Sequence, residues 1–197
     1  MLNNLSNFVF KLGVLKLGVI VLMALAFNLV ATEWLNASYS SSKFPVPYFE
    51  AQLSFDHLKL KAWYSALIAM GTLSTYIQAQ HIDFVFIVSV LFLHFFALLL
   101  VAKLIPKSSK WHKITLIAAL LSTIAPLADA LENLVSYRML MNPLDFNSYL
   151  AIVYSSFAAI KFAFFTFAYV AAIVSLLIAL FLWQKRVFDS RQKSRLV

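Results

Sequence analysis

The stretch Ile114–Arg138, "ITLIAALLSTIAPLADALENLVSYR", decides the fold. Its first half, through Ala125, has no charged residue, whereas the half that starts at Pro126 holds two carboxylates, an amide and an arginine. A bilayer requires about 20 predominantly apolar residues in a helix that crosses it. Ionisable side chains within such a helix normally face the bundle interior or a polar cavity. The stretch therefore predicts a membrane-spanning helix with a polar cluster at one end.

The composition of the whole chain agrees with a membrane protein. Hydrophobic residues make up 62% of the 197 residues and charged residues 12%, whereas soluble domains are about half apolar and a quarter charged. Continuous apolar runs, nineteen Phe and three Gly favour long helices over the alternating segments of a barrel. The absence of cysteine excludes disulfides, thiolate chemistry and cysteine metal sites.

We predict an all-α integral membrane four-helix bundle that forms a single membrane domain over residues 1–197. The predicted spans are 12–32, 82–104, 114–137 and 150–183. A cleaved signal peptide is the alternative for the first segment. We favour a retained anchor, because its apolar stretch exceeds the 7–15 residues typical of a signal core.

Residues 33–80 form the only long polar region. The part "NASYSSSKFPVPYF" (36–49) contains Ser, Asn and two Pro and is typical of an irregular loop. Residues 60–78 follow, with apolar side chains at spacings of three and four. The members of this stripe are Trp63, Leu67, Met70, Leu73 and Ile77. We predict an extracytoplasmic amphipathic helix on the membrane surface or over the bundle; a fifth span is the alternative, but the segment is short.

The distribution of basic residues predicts the topology. Eleven of the sixteen fall on one side of the predicted spans: Lys11, Lys16, Lys103, Lys107, Lys110, Lys113, Lys185, Arg186, Arg191, Lys193 and Arg195. An excess of Lys and Arg marks cytoplasmic loops. We therefore expect a multi-pass membrane protein with both termini in the cytoplasm. Topology also explains the positive charge without a nucleic-acid partner.

The polar cluster begins on the third span. Asp129, Glu132 and Asn133 stand at positions i, i+3 and i+4, so their side chains share one helix face. Pro126 lies one turn earlier and is expected to bend the helix and to free a backbone carbonyl.

Two further residues are expected at the same depth. Asp83 starts the second span at that side, and Lys161 lies near the start of the fourth. Arg138 follows the third span and is expected nearby. Three carboxylates against one lysine leave surplus negative charge, which suits a proton, a hard cation or the amine of a substrate or lipid head group. Alternatively, the polar groups only fasten helices together.

His94 lies near the middle of the second predicted span, in "LFLHFF". A single histidine is not a metal or haem constellation, so we predict a hydrogen-bonded core histidine. The sequence accordingly predicts no metal site and no cofactor.

Two motifs carry a resemblance. "YIQAQHIDFVF" (76–86) precedes the second span, and "APLADALENL" (125–134), followed by "NP", closes the third. They resemble a group of small, uncharacterised bacterial membrane proteins with four spans, in which a D-x-x-E-N box ends the third span. The matching positions are Tyr76, Asp83, Asp129, Glu132 and Asn133. The resemblance covers residues 60–145, implies the fold and supplies no reaction.

Three functions fit these features. The first is binding or passage of a small cation, a proton or a polar lipid head group at the acidic cluster. The second is a structural or regulatory subunit that binds a membrane protein partner or a second copy of itself. The third is a lipid-modifying enzyme with Glu132 or Asp129 as general acid or base. It ranks last, because no nucleophile motif surrounds Tyr154, Ser155 and Ser156.

Overall fold

The computed structural model describes residues 2–195. Within this range the regular secondary structure is helical: α1 Leu2–Lys11, α2 Val14–Ser41, α3 Tyr48–Gln52, α4 His57–Ala69, α5 Leu73–Leu104, α6 Lys110–Leu121, α7 Ile124–Leu140 and α8 Ser148–Arg195. Four helical segments are long and apolar enough to cross a membrane: α2, α5, α6 together with α7, and Ser148–Asp189 of α8. The all-α prediction is confirmed, and the four segments have the pattern of a multi-pass membrane protein.

Helix α5 is the centre of the bundle. It packs along α2 and also contacts α6, α7 and α8. Helices α7 and α8 pack against each other, and α6 also contacts α8. We call the end that contains α1, residues 105–109 and the last turns of α8 the basic end. The opposite end, with residues 42–72 and 141–147, is the cluster end.

The helices at the cluster end are longer than the predicted spans. Helix α2 continues to Ser41, so residues 33–41 are helical and do not belong to a loop. No proline interrupts the chain before Pro45, and proline is what usually ends a helix. The Tyr39 hydroxyl then donates to the Val46 carbonyl oxygen at 3.0 Å, which folds the following turn back onto α2.

The helix predicted over 60–78 is divided in two. Gly71 has a φ of 69°, its N–H donates to the Ile68 carbonyl at 3.0 Å, and the N–H of Thr72 donates to the Leu67 carbonyl at 2.9 Å. These two bonds around a left-handed glycine form a Schellman motif, which ends a helix. Helix α4 therefore stops at Ala69, and α5 starts with the second half of the predicted segment.

The predicted apolar stripe of that segment is only partly buried. Leu67 is fully buried, and Trp63, Leu73 and Ile77 pack against the same core. Met70, at the break, is 46% exposed. Helix α4 thus covers the cluster end with one face.

The predicted bend before Pro126 is confirmed. Helix α6 ends at Leu121 and α7 begins at Ile124. Pro126 has no N–H to donate to the carbonyl of Ser122, four residues earlier. At this interruption the hydroxyls of Ser122 and Thr123 donate to the carbonyls of Ala119 and Leu120, at 2.8 and 2.7 Å.

Each end of the bundle has its own hydrophobic core. The core of the cluster end consists of Ala51, Leu60, Tyr64, Leu67, Tyr76, Met139, Leu140, Phe146, Ala151 and Tyr154. The core of the basic end consists of Val9, Leu17, Leu98, Leu99, Ala102, Leu116, Ala118 and Ala119. The candidate site lies next to the first of these cores.

Candidate functional site

The buried lysine of α8 pairs with two carboxylates of α7. Lys161 Nζ donates to Asp129 Oδ1 at 3.0 Å and lies 2.5 Å from Glu132 Oε2. All three side chains are buried. The predicted helix face of α7 is the reason, since positions 129 and 132 point together at the facing turn of α8.

Glu132 is the most deeply buried member of the cluster. Its Oε2 is in close contact with Lys161, whereas its Oε1 has no hydrogen-bond partner in the described part of the chain. Because one lysine is shared between two carboxylates, this group of three has a formal charge of −1 when all are ionised. The single positive charge of Lys161 therefore attracts Glu132 but cannot neutralise both carboxylates.

Asp83 extends the cluster onto α5. Asn133 Nδ2 donates to Asp83 Oδ2 at 2.8 Å, as expected if position 133 shares the face of 129 and 132. No ion pair of Asp83 occurs between residues 2 and 195. Asp83 is half-buried and is the carboxylate of the cluster without a cationic partner.

A cavity of about 410 Å³ lies beside these residues. Its polar lining residues are Thr32, Asn36, Gln52, Gln80, Asp83, Asp129, Asn133, Lys161 and Thr166. Its aromatic lining residues are Tyr39, Tyr48, Tyr76, Phe86, Tyr154, Phe162, Phe165 and Tyr169. The cavity thus joins carboxylates and aromatic rings in one space. Glu132 is not among the residues that line it.

The walls of the cavity come from α5 and from two further long helices. Helix α2 forms one of these walls and α8 another, and α3 lies over the cluster end. Each of these two long helices packs against α5, whereas α2 and α8 are not packed against each other. The cavity therefore occupies a gap between α2 and α8.

A buried hydroxyl and a buried amide face this space. Tyr154 lines the cavity, is 2% exposed, and its hydroxyl has no hydrogen bond within the described part of the chain. Gln80 Nε2 lies 3.0 Å from the Tyr76 hydroxyl and 2.6 Å from Ser136 Oγ. The other end of this amide has no partner. Since amide orientation follows from such contacts, one end of Gln80 is unpaired in either orientation.

A layer of packed aromatic side chains lies on the α4 side of the cavity. The Phe44 ring lies 4.7 Å from the Tyr76 ring, and the Tyr39 ring lies 6.1 Å from Tyr76 and 5.6 Å from Phe44. Tyr64 packs against Phe44 and Tyr76. Burial raises the pKa of the Tyr64 phenol above its ordinary value, so this phenol is neutral at physiological pH.

Two predicted candidates lie apart from the cluster. Arg138 is exposed, and its guanidinium contacts Met141 Sδ at 3.5 Å. Its position six residues after Glu132 places it nearer the membrane surface and on a different face of α7. His94 lies further along α5 and packs against Phe165 and Tyr169, at ring distances of 5.7 and 4.9 Å. The predicted hydrogen bond is absent at its Nδ1.

Tyr76 lies beside the cavity, where it is joined through Gln80 to Ser136 of α7. Gln80 and the aromatic walls were not predicted as site residues. The spacing of Tyr76 and Gln80, four residues apart in a helix that continues into a span, is the signal in the sequence that could have identified Gln80. The aromatic residues of α8 carry no such signal, because Phe and Tyr also face lipid.

The arrangement of ligand atoms does not match a metal site. No group of three or more His, Asp or Glu side chains in residues 2–195 converges closely enough to hold a metal ion. Two candidate nucleophiles are also engaged elsewhere. Ser155 Oγ accepts from the backbone N–H of Phe55 at 3.0 Å, and Ser156 Oγ donates to the Ile152 carbonyl at 2.7 Å.

These features define a class: a helical, multi-pass membrane protein with a cavity in the bundle that carries carboxylates. No protein family, curated protein or solved structure matches the chain.

Proposed function

We propose that this protein binds an organic cation, a protonated amine, in the cavity beside Asp83. The proposal depends on the partners of this carboxylate, which lines the cavity and accepts one hydrogen bond from an uncharged amide. A carboxylate away from bulk water is costly unless it is paired. A bound ammonium group supplies the missing positive charge and hydrogen-bond donors.

The other lining residues support an organic cation over a bare ion. Aromatic faces attract ammonium groups within about 6 Å of the ring centroid, and eight aromatic residues line the cavity. The volume of about 410 Å³ lies in the range of small-molecule sites. Calcium, by contrast, takes six to eight oxygen ligands, and the carboxylates here do not converge.

A structural role for part of the cluster is supported by a separate observation. Lys161 joins α8 to Asp129 and Glu132 of α7, and polar contacts of this kind fasten membrane helices together. We therefore divide the cluster: Glu132 and Lys161 hold α7 and α8 together, whereas Asp83 receives the ligand. Asp129 belongs to both parts, since it binds Lys161 and lines the cavity.

A binding measurement tests the proposal. Purified protein in detergent micelles is titrated with n-butylammonium, a water-soluble amine small enough for the cavity. We expect saturable binding that Asp83→Asn weakens about tenfold or more, because hydrogen bonds to a charged group contribute about 1.5–3 kcal/mol.

Asp145→Asn is the matched control, since Asp145 is an exposed carboxylate at the same end and its loss should leave the affinity unchanged. Equal affinities for wild type and Asp83→Asn, or no saturable binding by the wild type, would refute the proposal.

We further propose a bacterial inner membrane with both termini in the cytoplasm and the cluster end outside, as the resemblance to four-span bacterial proteins suggests. Support comes from the eleven basic residues at the basic end and the positive-inside rule. Because the chain has no cysteine, a single introduced cysteine is a unique label. A membrane-impermeant maleimide should label Asn142→Cys in intact cells and label Ser108→Cys only after lysis; the reverse pattern contradicts this topology.

A further inference from the structure

The cavity changes in chemistry along its length. Its carboxylates, Asp83 and Asp129, lie near its middle, since Asp83 is midway between Tyr76 and Val90 on the part of α5 that lines it. Further along α5 and α8 it is lined by Val90, Phe165 and Tyr169. From Lys161 to Tyr169 the helix advances about 12 Å, at 1.5 Å per residue. The cavity is therefore an amphipathic slot, with a charged head region and an apolar arm directed toward the basic end.

The apolar arm borders a lateral opening. Tyr169 lines the cavity and is 58% exposed, and the neighbouring Thr166 is also exposed. Both residues lie within the membrane-spanning part of α8, and α2 and α8 are not packed against each other. Exposed residues in this part of the helix face the hydrocarbon of the bilayer. The arm consequently opens into lipid.

The head region offers more than one partner to an ammonium group. Asp83 has no cationic partner among residues 2–195. Gln80 lies one turn earlier on the same face of α5, lines the cavity, is 7% exposed and has an amide oxygen without a hydrogen bond. An ammonium group has three donors and no acceptor, so it suits a carboxylate and an amide oxygen that share one helix face.

We propose that the ligand is a single-chain lipid amine dissolved in the bilayer, which enters sideways through the gap between α2 and α8. Its ammonium group lies at Asp83, and its alkyl chain lies along Phe165 and Tyr169 toward the opening. This inference rests on the proposed function and adds the source and the class of the ligand. A water-soluble amine fits the head region alone, whereas a lipid amine fills both parts of the slot.

The test compares two primary amines, n-butylammonium and n-dodecylammonium, in protein reconstituted into phosphatidylcholine nanodiscs. Binding of the dodecyl compound is expressed per mole of bilayer lipid, so that simple partitioning into lipid is removed. In the wild type we expect saturable binding of both amines, and Asp83→Asn should weaken both about tenfold.

Thr166→Trp distinguishes the lipid-amine inference from the proposed function, because an indole at the rim narrows the opening to lipid. It should weaken dodecylammonium binding about tenfold more than it weakens n-butylammonium binding. Ile173→Trp is the matched control: Ile173 lies two turns further along the same face of α8, is exposed and does not line the cavity. It should change neither affinity.

Val90→Phe provides an independent variant, since it fills the apolar arm from α5, and it should have the same selective effect as Thr166→Trp. If both variants bind dodecylammonium as the wild type does, or if only n-butylammonium binds, the lipid-amine inference is wrong and the proposed function stands. If neither amine binds saturably, or if Asp83→Asn changes neither affinity, both proposals fail together.

Discussion

The two ends of the bundle use buried polar groups in different ways. At the basic end, His112 is held by two bonds of 2.8 Å, one with Ser6 Oγ and one with the Ala102 carbonyl. Lys103 Nζ donates to the Phe10 carbonyl, also at 2.8 Å. At the cluster end, two residues that line the cavity lack partners within the described part of the chain: Asp83 has no ion pair, and one end of the Gln80 amide has no hydrogen bond.

This difference indicates that buried polar groups hold helices together at the basic end, whereas some of those at the cluster end are available to bind a ligand. The bonds of the basic end attach α1 to α5 and α6, and each imidazole nitrogen there has a partner. The cluster end contains one complete fastener, Lys161 with its two carboxylates, and beside it groups whose partners are absent from the described chain. Buried polar groups are normally hydrogen-bonded, so a cavity bordered by several unpaired groups indicates a place for a ligand.

The largest expected effect comes from the fastener of the cluster end. Lys161→Met leaves Asp129 and Glu132 buried without a cation, and breaking a buried pair in this way costs about 3–5 kcal/mol. We expect a markedly lower melting temperature in detergent micelles.

Adding Glu132→Gln and Asp129→Asn to Lys161→Met should restore part of that stability, because the uncompensated charges are then removed. A melting temperature unchanged by Lys161→Met would mean that the ion pairs do not hold α7 and α8 together.

An intermediate effect is expected at the basic end. His112→Ala removes both bonds of the imidazole and leaves buried partners unsatisfied, at a cost of about 1–3 kcal/mol. The melting temperature should fall, while the affinity for n-butylammonium should stay at the wild-type value. Weakened amine binding in the folded variant would contradict the proposed independence of the two ends, since it would mean that they are coupled.

The smallest effect on stability is expected at Asp83. Asp83→Asn removes a carboxylate that has no cationic partner and keeps a side chain able to bond with Asn133, so the free energy of unfolding should change by less than about 1 kcal/mol. Amine binding should nevertheless weaken about tenfold or more, which is the opposite pattern to His112→Ala. A loss of stability as large as that of Lys161→Met would show that Asp83 is also a fastener.

The local part of the cluster was readable from the sequence. The spacing of Asp129, Glu132 and Asn133 fixes a common helix face, and the span boundaries predicted the level of Asp83 and Lys161. Pro126 correctly predicted the break in the third segment. Such inferences succeed because they depend on helix geometry and on chain length across a bilayer.

Other features depend on rotation and packing, which the sequence pattern did not specify. Arg138 was expected near the carboxylates, yet it lies on an exposed face of α7. The extension of α2 past residue 32 was missed because Ser and Asn are common in loops. The break at Gly71 within the predicted 60–78 helix was missed because a lone glycine is tolerated in helices.

The sequence by itself determined the all-α fold, the four apolar segments and the shared face of the α7 carboxylates, because hydrophobicity and helical periodicity are properties of a chain in its local order. Only the tertiary structure decided that Lys161 pairs with Asp129 and Glu132 while Asp83 pairs with an amide. It also decided that α2 and α8 are separated by an aromatic cavity. Which side chain meets which depends on the rotation and separation of whole helices, and those follow from packing summed over residues far apart in the chain.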